Sequence, residues 1–91
     1  MGLSFSTALE AVKDGKRIER EGWNGKGMYL ALVDGGYEVF DMPNVMAYQA
    51  INHYGLRLLP WIGMKTADDG FVPWLASQTD LLASDWHVLE D

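Results

Sequence analysis

The chain has no cysteine, only two histidines and only seven basic residues in 91. Without thiols there are neither disulfides nor thiolate metal sites. His53 and His87 stand far apart and match no metal-ligand spacing, so no structural metal and no cofactor are expected. A formal charge of −6 excludes general binding to DNA or RNA polymers, because neutralising a phosphate backbone takes many Lys or Arg. No apolar run approaches the roughly 18–20 residues of a membrane span, and the N-terminus lacks a secretory apolar region. The opening "MGLSFS" fits the short myristoylation pattern, yet no polybasic second signal follows it. The chain therefore reads as soluble and cytoplasmic, with no membrane partner.

Apolar side chains, by contrast, are plentiful. They make up 48% of the residues and include four Trp, four Tyr, three Phe and five Met. A domain of this size buries only about 60–65% of the surface its unfolded chain exposes. The surplus calls for a ligand pocket, a subunit contact, or both, and a chain this small gains stability by oligomerising. The few basic residues are also uneven: Lys13, Lys16, Arg17, Arg20 and Lys26 lie in the first 26 positions, leaving Arg57 and Lys65 later. A local positive site for a small anion remains compatible with the overall negative charge.

Phe5, Ala8, Leu9 and Val12 follow the i, i+3, i+4, i+7 spacing of a helix face, with Ser4 as N-cap and Gly15 as stop. Arg17 to Arg20 reads as a short strand. "GWNGKG" should turn tightly, and Met28–Val33 with Tyr37–Phe40 around "DGG" reads as a hairpin. Asn44 is placed to cap a short helix ended by Gly55. Leu58 to Lys65 resembles a strand with Pro60 at an edge or bulge, "ADDG" turns into a partner at Phe71–Leu75, and Trp86–Leu89 returns as a closing strand. Ser77 and Asp80 have the spacing of a capping box. The expected fold is α+β: a small antiparallel sheet with short helices, a single domain over residues 1–91, assembling as a homo-oligomer.

Two stretches set a Trp beside hydrogen-bonding groups. In "GWNGKG" only Trp23 and Asn24 separate Gly22 from Gly25, and Gly27 follows Lys26, so the nucleoside-triphosphate loop pattern is not met. Backbone N–H groups of a glycine turn still cup an anion without that machinery, while the plainer reading is a turn with Trp23 in the core. In "PWLASQTD", Ser77 and Asp80 satisfy a helix start, but Gln78 and Thr79 directly after Trp74 are not needed for capping. An indole beside amide, hydroxyl and carboxylate groups suits a nucleobase or ribose, and stacking one base is worth about 1–3 kcal/mol. A capped, partly buried turn is the competing interpretation. Catalysis has less behind it. Ser77 lacks a nucleophile-elbow setting, and His87 lies between Trp86 and Val88 in an expected strand. Asp80 and Asp85 could in principle do acid–base work but sit where carboxylates cap and solvate. Met28 and Met64 are core fillers by default.

"FSTALEAVKDGKRI", "REGWNGKGMYL" and "LPWIGMKTADDGFVPWLASQTDLLASDW" together resemble the second Thoeris anti-defence family of small phage proteins. The similarity runs from Phe5 to the C-terminus, with a departure between Val33 and Leu56. What the resemblance implies is a sponge, not an enzyme: a homotetramer with pockets at subunit junctions that holds a cyclic ADP-ribose isomer, an immune messenger, without cleaving it. Relatives that also capture cyclic dinucleotides make ligand breadth an open question. Carried onto this sequence, the ligand-binding residues are Trp23, Asn24, Lys26 and Met28 from the first block. From the second they are Lys65, Thr66, Trp74, Ser77, Gln78, Thr79 and Asp80. Trp23 and Trp74 would stack, Asn24, Gln78 and Asp80 would read base edges or ribose hydroxyls, and Lys26, Lys65 and the glycine-turn N–H groups would meet the pyrophosphate. The rivals are a nucleotide hydrolase with Asp80 as base, and a protein–protein inhibitor docking through exposed Trp surfaces.

Overall fold

The computed structural model describes residues 2–33 and 59–90. Helix α1 spans Phe5–Lys13. Ser4 caps it in extended backbone, its Oγ accepting the Thr7 N–H at 3.3 Å. Beyond the last turn, Gly15 takes φ +89° and donates its N–H to the Val12 carbonyl at 2.9 Å, so the stop falls where the glycine suggests.

Five strands follow: β1 (Arg17–Arg20), β2 (Tyr29–Val33), β3 (Trp61–Lys65), β4 (Phe71–Pro73) and β5 (Trp86–Leu89). A short helix α2, Gln78–Leu82, lies between β4 and β5. The strands form one sheet in the order β4-β3-β2-β1-β5, every pairing antiparallel. The α+β expectation holds, with a small antiparallel sheet and two short helices among the described residues.

Register sorts the side chains by face. Ile18 opposes Leu30 and Val88, Leu30 opposes Met64, and Leu32 opposes Ile62, so these side chains share one face of the sheet. Ala8 and Val12 of α1 cover that face, and with Ile18, Leu30 and Trp86 they form a core of fully buried residues. Phe5, Trp23, Met64 and Trp74 pack against it from the sides. The opposite face carries Tyr29, Ala31 and Val33 against Lys65, Gly63 and Trp61. There Gly63 leaves room for the Phe71 ring, which a Cβ at that position would force to move.

Three expected boundaries move. The strand expected to begin at Leu58 starts at Trp61; Leu59 and Pro60 precede it, and Pro60 has no N–H to give a ladder. The strand drawn to Leu75 stops at Pro73, although the Trp74 N–H still donates to the Ile62 carbonyl at 2.9 Å. Met28 lies just outside β2. The expected strand Tyr37–Phe40 with its hairpin turn, and the helix capped by Asn44, lie outside the described residues.

Candidate functional site: two tryptophan blocks on one buried indole

Trp86 stands wholly buried at the start of β5, and both tryptophan blocks converge on it. Trp23 meets it edge-on, ring centroids 5.3 Å apart and planes at 80°. Trp74 meets it at 6.2 Å and 84°, and Phe5 of α1 touches both, at 5.3 Å from Trp86 and 5.6 Å from Trp74. Edge-to-face geometry suits the indole quadrupole and stabilises such pairs by about 0.5–1.5 kcal/mol beyond area burial. The Trp86 Nε1–H donates to the Asp80 carbonyl at 3.0 Å, which ties the cluster to α2. Trp23 and Trp74 themselves stay half-buried.

Around the cluster runs a charge network that joins the blocks. Arg20 ends β1, and its register partner is Trp86, so its side chain leaves on the core face of the sheet. Its Nε donates to Asp85 Oδ1 at 2.8 Å and one terminal nitrogen to Asp85 Oδ2 at 3.3 Å. The other terminal nitrogen donates to Asp80 Oδ1 at 2.8 Å. Asp85 Oδ2 also accepts the Gly22 N–H at 2.8 Å. The Arg20 hydrogen bond, helped by that N–H and outweighing desolvation, holds the Asp85 carboxyl below the usual carboxylate range. Bonds to Asp85 and then Asp80 raise the Arg20 guanidinium in turn.

The first block follows this anchor directly. Glu21–Trp23 form a single 3-10 turn, and Asn24 takes a left-handed conformation at φ 59° with its N–H on the Glu21 carbonyl at 2.9 Å. Asn24, Gly25, Lys26 and Gly27 are exposed, and Met28 is half-buried. Lys65 reaches this turn from β3, its Nζ donating to the Gly27 carbonyl at 3.0 Å and pairing with Asp69 at 2.8 Å. That bond lowers the Asp69 carboxyl. Thr66 shapes the adjoining turn: its hydroxyl donates to the Asp68 carboxylate, lowering it, and accepts the Gly70 N–H at 2.8 Å.

In the second block Ser77 caps α2, its Oγ accepting the Asp80 N–H at 3.0 Å. Half of the expected capping box is therefore present. The other half is replaced, because the Asp80 carboxylate turns to the Arg20 guanidinium, where both partners carry charge. Gln78 and Thr79 stand exposed in the first turn of α2.

The structure thus gathers Trp23 and Trp74 on one indole and brings Lys65 to Gly27 of the first turn, while Thr66 bonds only within its own turn. It commits Ser77 to capping α2 and the Asp80 carboxylate to Arg20, and among the described residues the side chains of Asn24, Lys26, Gln78 and Thr79 make no hydrogen bond or ion pair. Sequence reasoning missed Arg20, the joint between the blocks. The signal was present: in "RIER" the alternation that buries Ile18 also turns Arg20 inward, and an inward guanidinium needs carboxylates. Asp80 and Asp85 were weighed as a pair, but not as the two arms of one arginine. His87 lies on the outer face with Nε2 3.8 Å from Glu21. An open depression along the solvent side of α1, lined by Ser6, Thr7, Leu9, Glu10 and Lys13, contains none of the expected residues. Among the described residues no group of three or more His, Asp or Glu could hold a metal, and no helix is long and apolar enough to cross a membrane.

Fold and blocks together define a class: a small antiparallel-sheet domain carrying two Trp-centred polar turns on a shared aromatic core. Within that class, the model of the Thoeris anti-defense 2-like domain matches residues 3–89, and the chain belongs to that family. A relative called Thoeris anti-defense 2, from Bacillus phage SP01, is 36% identical over 94 residues, covering 96% of this chain and 94% of its own. Family membership places the chain among anti-defence proteins.

Proposed function

We propose that the chain is a phage-type sponge acting in the infected host cell: it binds a cyclic ADP-ribose isomer and withholds it from the Thoeris effector without cleaving it. The observation that carries this reading is the convergence of both tryptophan blocks on Trp86, with exposed amide, hydroxyl and ammonium groups beside them. Trp23 and Trp74 present their remaining faces to the ligand base or sugar. Asn24, Gln78 and Thr79 read its polar edges, and Lys26, Lys65 and the glycine-turn N–H groups take the pyrophosphate. Lys65, itself 24% exposed, pairs with an Asp69 that is 83% exposed, and a pair so open on its acidic side is weak enough for a ligand anion to replace. Ser77 and Asp80 hold the second turn in shape, and Met28 and Thr66 flank the first.

Magnitudes require a closed pocket. Nanomolar capture takes about −12 kcal/mol, whereas one stacked base supplies about 1–3 and one charge-assisted hydrogen bond about 1.5–3. Several must act together to offset the entropy lost on capture. A subunit junction supplies the missing walls, and the exposed Leu75 and Leu82, 93% and 81% accessible, suit burial against further copies in a homotetramer. With Asp80 engaged by Arg20, no observation among the described residues favours the hydrolase alternative.

Incubation with the isomer followed by heat denaturation tests the mechanism. Chromatography should return the ligand intact. Recovery of a linear ADP-ribose would make the protein an enzyme instead.

A further inference from the structure

We propose that Arg20 is the positioning residue that registers the two tryptophan blocks, and so sets the ligand-facing geometry of both without touching the ligand. This rests on the sponge reading. The Arg20 side chain is 15% exposed, and its guanidinium spends three nitrogens on two carboxylates that lie 60 and 65 residues further along the chain. Both carboxylates lie in the second block, but each holds a different piece of the site. Asp85 grips the first block through the Gly22 N–H, while its own backbone carbonyl takes the Glu21 N–H at 3.0 Å. Asp80 belongs to the first turn of α2, where its N–H meets Ser77 and its carbonyl meets Trp86. One planar fork therefore fixes Glu21–Asn24 against Ser77–Leu82.

A second observation shows how closely the fork is fitted. A Cβ placed on Gly22 would stand 3.0 Å from both an Arg20 terminal nitrogen and Asp85 Oδ2. Glycine at that position lets the backbone approach the fork; any side chain presses on it. Lysine cannot replace the arginine, because a single ammonium carries the charge without the planar, bidentate donors.

The test uses the full chain and two variants, Arg20→Lys and Gly22→Ala, the second guarding against a first that fails to fold. Hydrogen exchange is read without ligand, and affinity for the cyclic ADP-ribose isomer by titration calorimetry, at a temperature where circular dichroism shows the variant folded. The amides of Gly22 and Asn24 should lose protection together with those of Asp80 and Leu81, while Leu30 and Met64 keep theirs. Affinity should fall about 10- to 100-fold, the size of one charged hydrogen bond to the ligand lost through misplacement. A purely structural arginine would lower the melting temperature and leave the affinity of the folded protein unchanged; that result overturns the proposal. Should the wild type bind no ligand, the sponge reading fails, and the exchange experiment still decides the joint. Paired loss of protection upholds it, and loss in one block alone, or uniformly, overturns it.

Discussion

Replacing Trp86 by alanine removes the buried side chain on which, among the described residues, both blocks and α1 converge. Truncating a buried Trp to Ala typically costs about 3–5 kcal/mol through lost transfer energy and the cavity left behind. Here three aromatic neighbours lose their ring contacts, two edge-on and one tilted, each worth about 0.5–1.5 kcal/mol, and the Asp80 carbonyl loses the indole N–H. These terms overlap, so about 4–5 kcal/mol is the working figure. A domain of this size loses roughly 5 °C of melting temperature per kcal/mol, which puts the expected drop near 20 °C. Thermal denaturation followed by circular dichroism reads it. Trp61→Ala is the control, since that half-buried ring on the opposite face has Phe71 at 6.1 Å and no place in the core; it should lose about 1–2 kcal/mol. If Trp86→Ala melts within about 5 °C of the wild type, or no lower than Trp61→Ala, Trp86 is not the hub of the fold.

The Asp85 carboxyl lies below its ordinary value of about 3.9 in the folded chain, so its bond to Arg20 stabilises fully above that pH and is lost as pH falls through the lower folded value. Acid denaturation should therefore steepen below about pH 4, and Asp85→Asn should be less stable near neutrality yet show a flatter acid limb. Ser77→Ala removes the α2 cap and should cost about 1 kcal/mol, whereas Ser77→Asp should keep most of it; both are read as melting temperatures. Gly63→Ala drives a methyl into the Phe71 ring and should destabilise by about 1–3 kcal/mol. Combining it with Phe71→Ala should cost less than the sum of the two, and strict additivity would place the clash elsewhere.

Much of the fold was legible because local chemistry and burial agree. Ser4, the Phe5–Val12 stripe and Gly15 name α1 from cap to stop, and the alternation around Ile18 names β1. Boundaries shifted near the prolines: β3 begins directly after Pro60, which has no N–H for a ladder, and β4 ends at Pro73 although the Trp74 N–H still reaches the Ile62 carbonyl. The site was legible in part. Trp and polar residues crowded into two turns announce a cluster, but not that a third Trp, which reads only as the start of a strand, is the ring on which the other two meet. Asp80 shows why the remainder was hidden. Helix-start spacing predicts a local partner for its carboxylate, and the observed one is Arg20, 60 residues away in sequence. Pairing across such a distance follows from sheet register, which no single stretch of sequence displays.

Titration calorimetry of the wild-type chain against cyclic ADP-ribose isomers and cyclic dinucleotides, repeated with Trp23→Ala and Trp74→Ala, tests the sponge most directly. The expected result is a Kd near nanomolar, about −12 kcal/mol, for at least one cyclic ADP-ribose isomer, weakened at least tenfold by either substitution. Absence of binding to every isomer, or tight binding indifferent to both indoles, would contradict it.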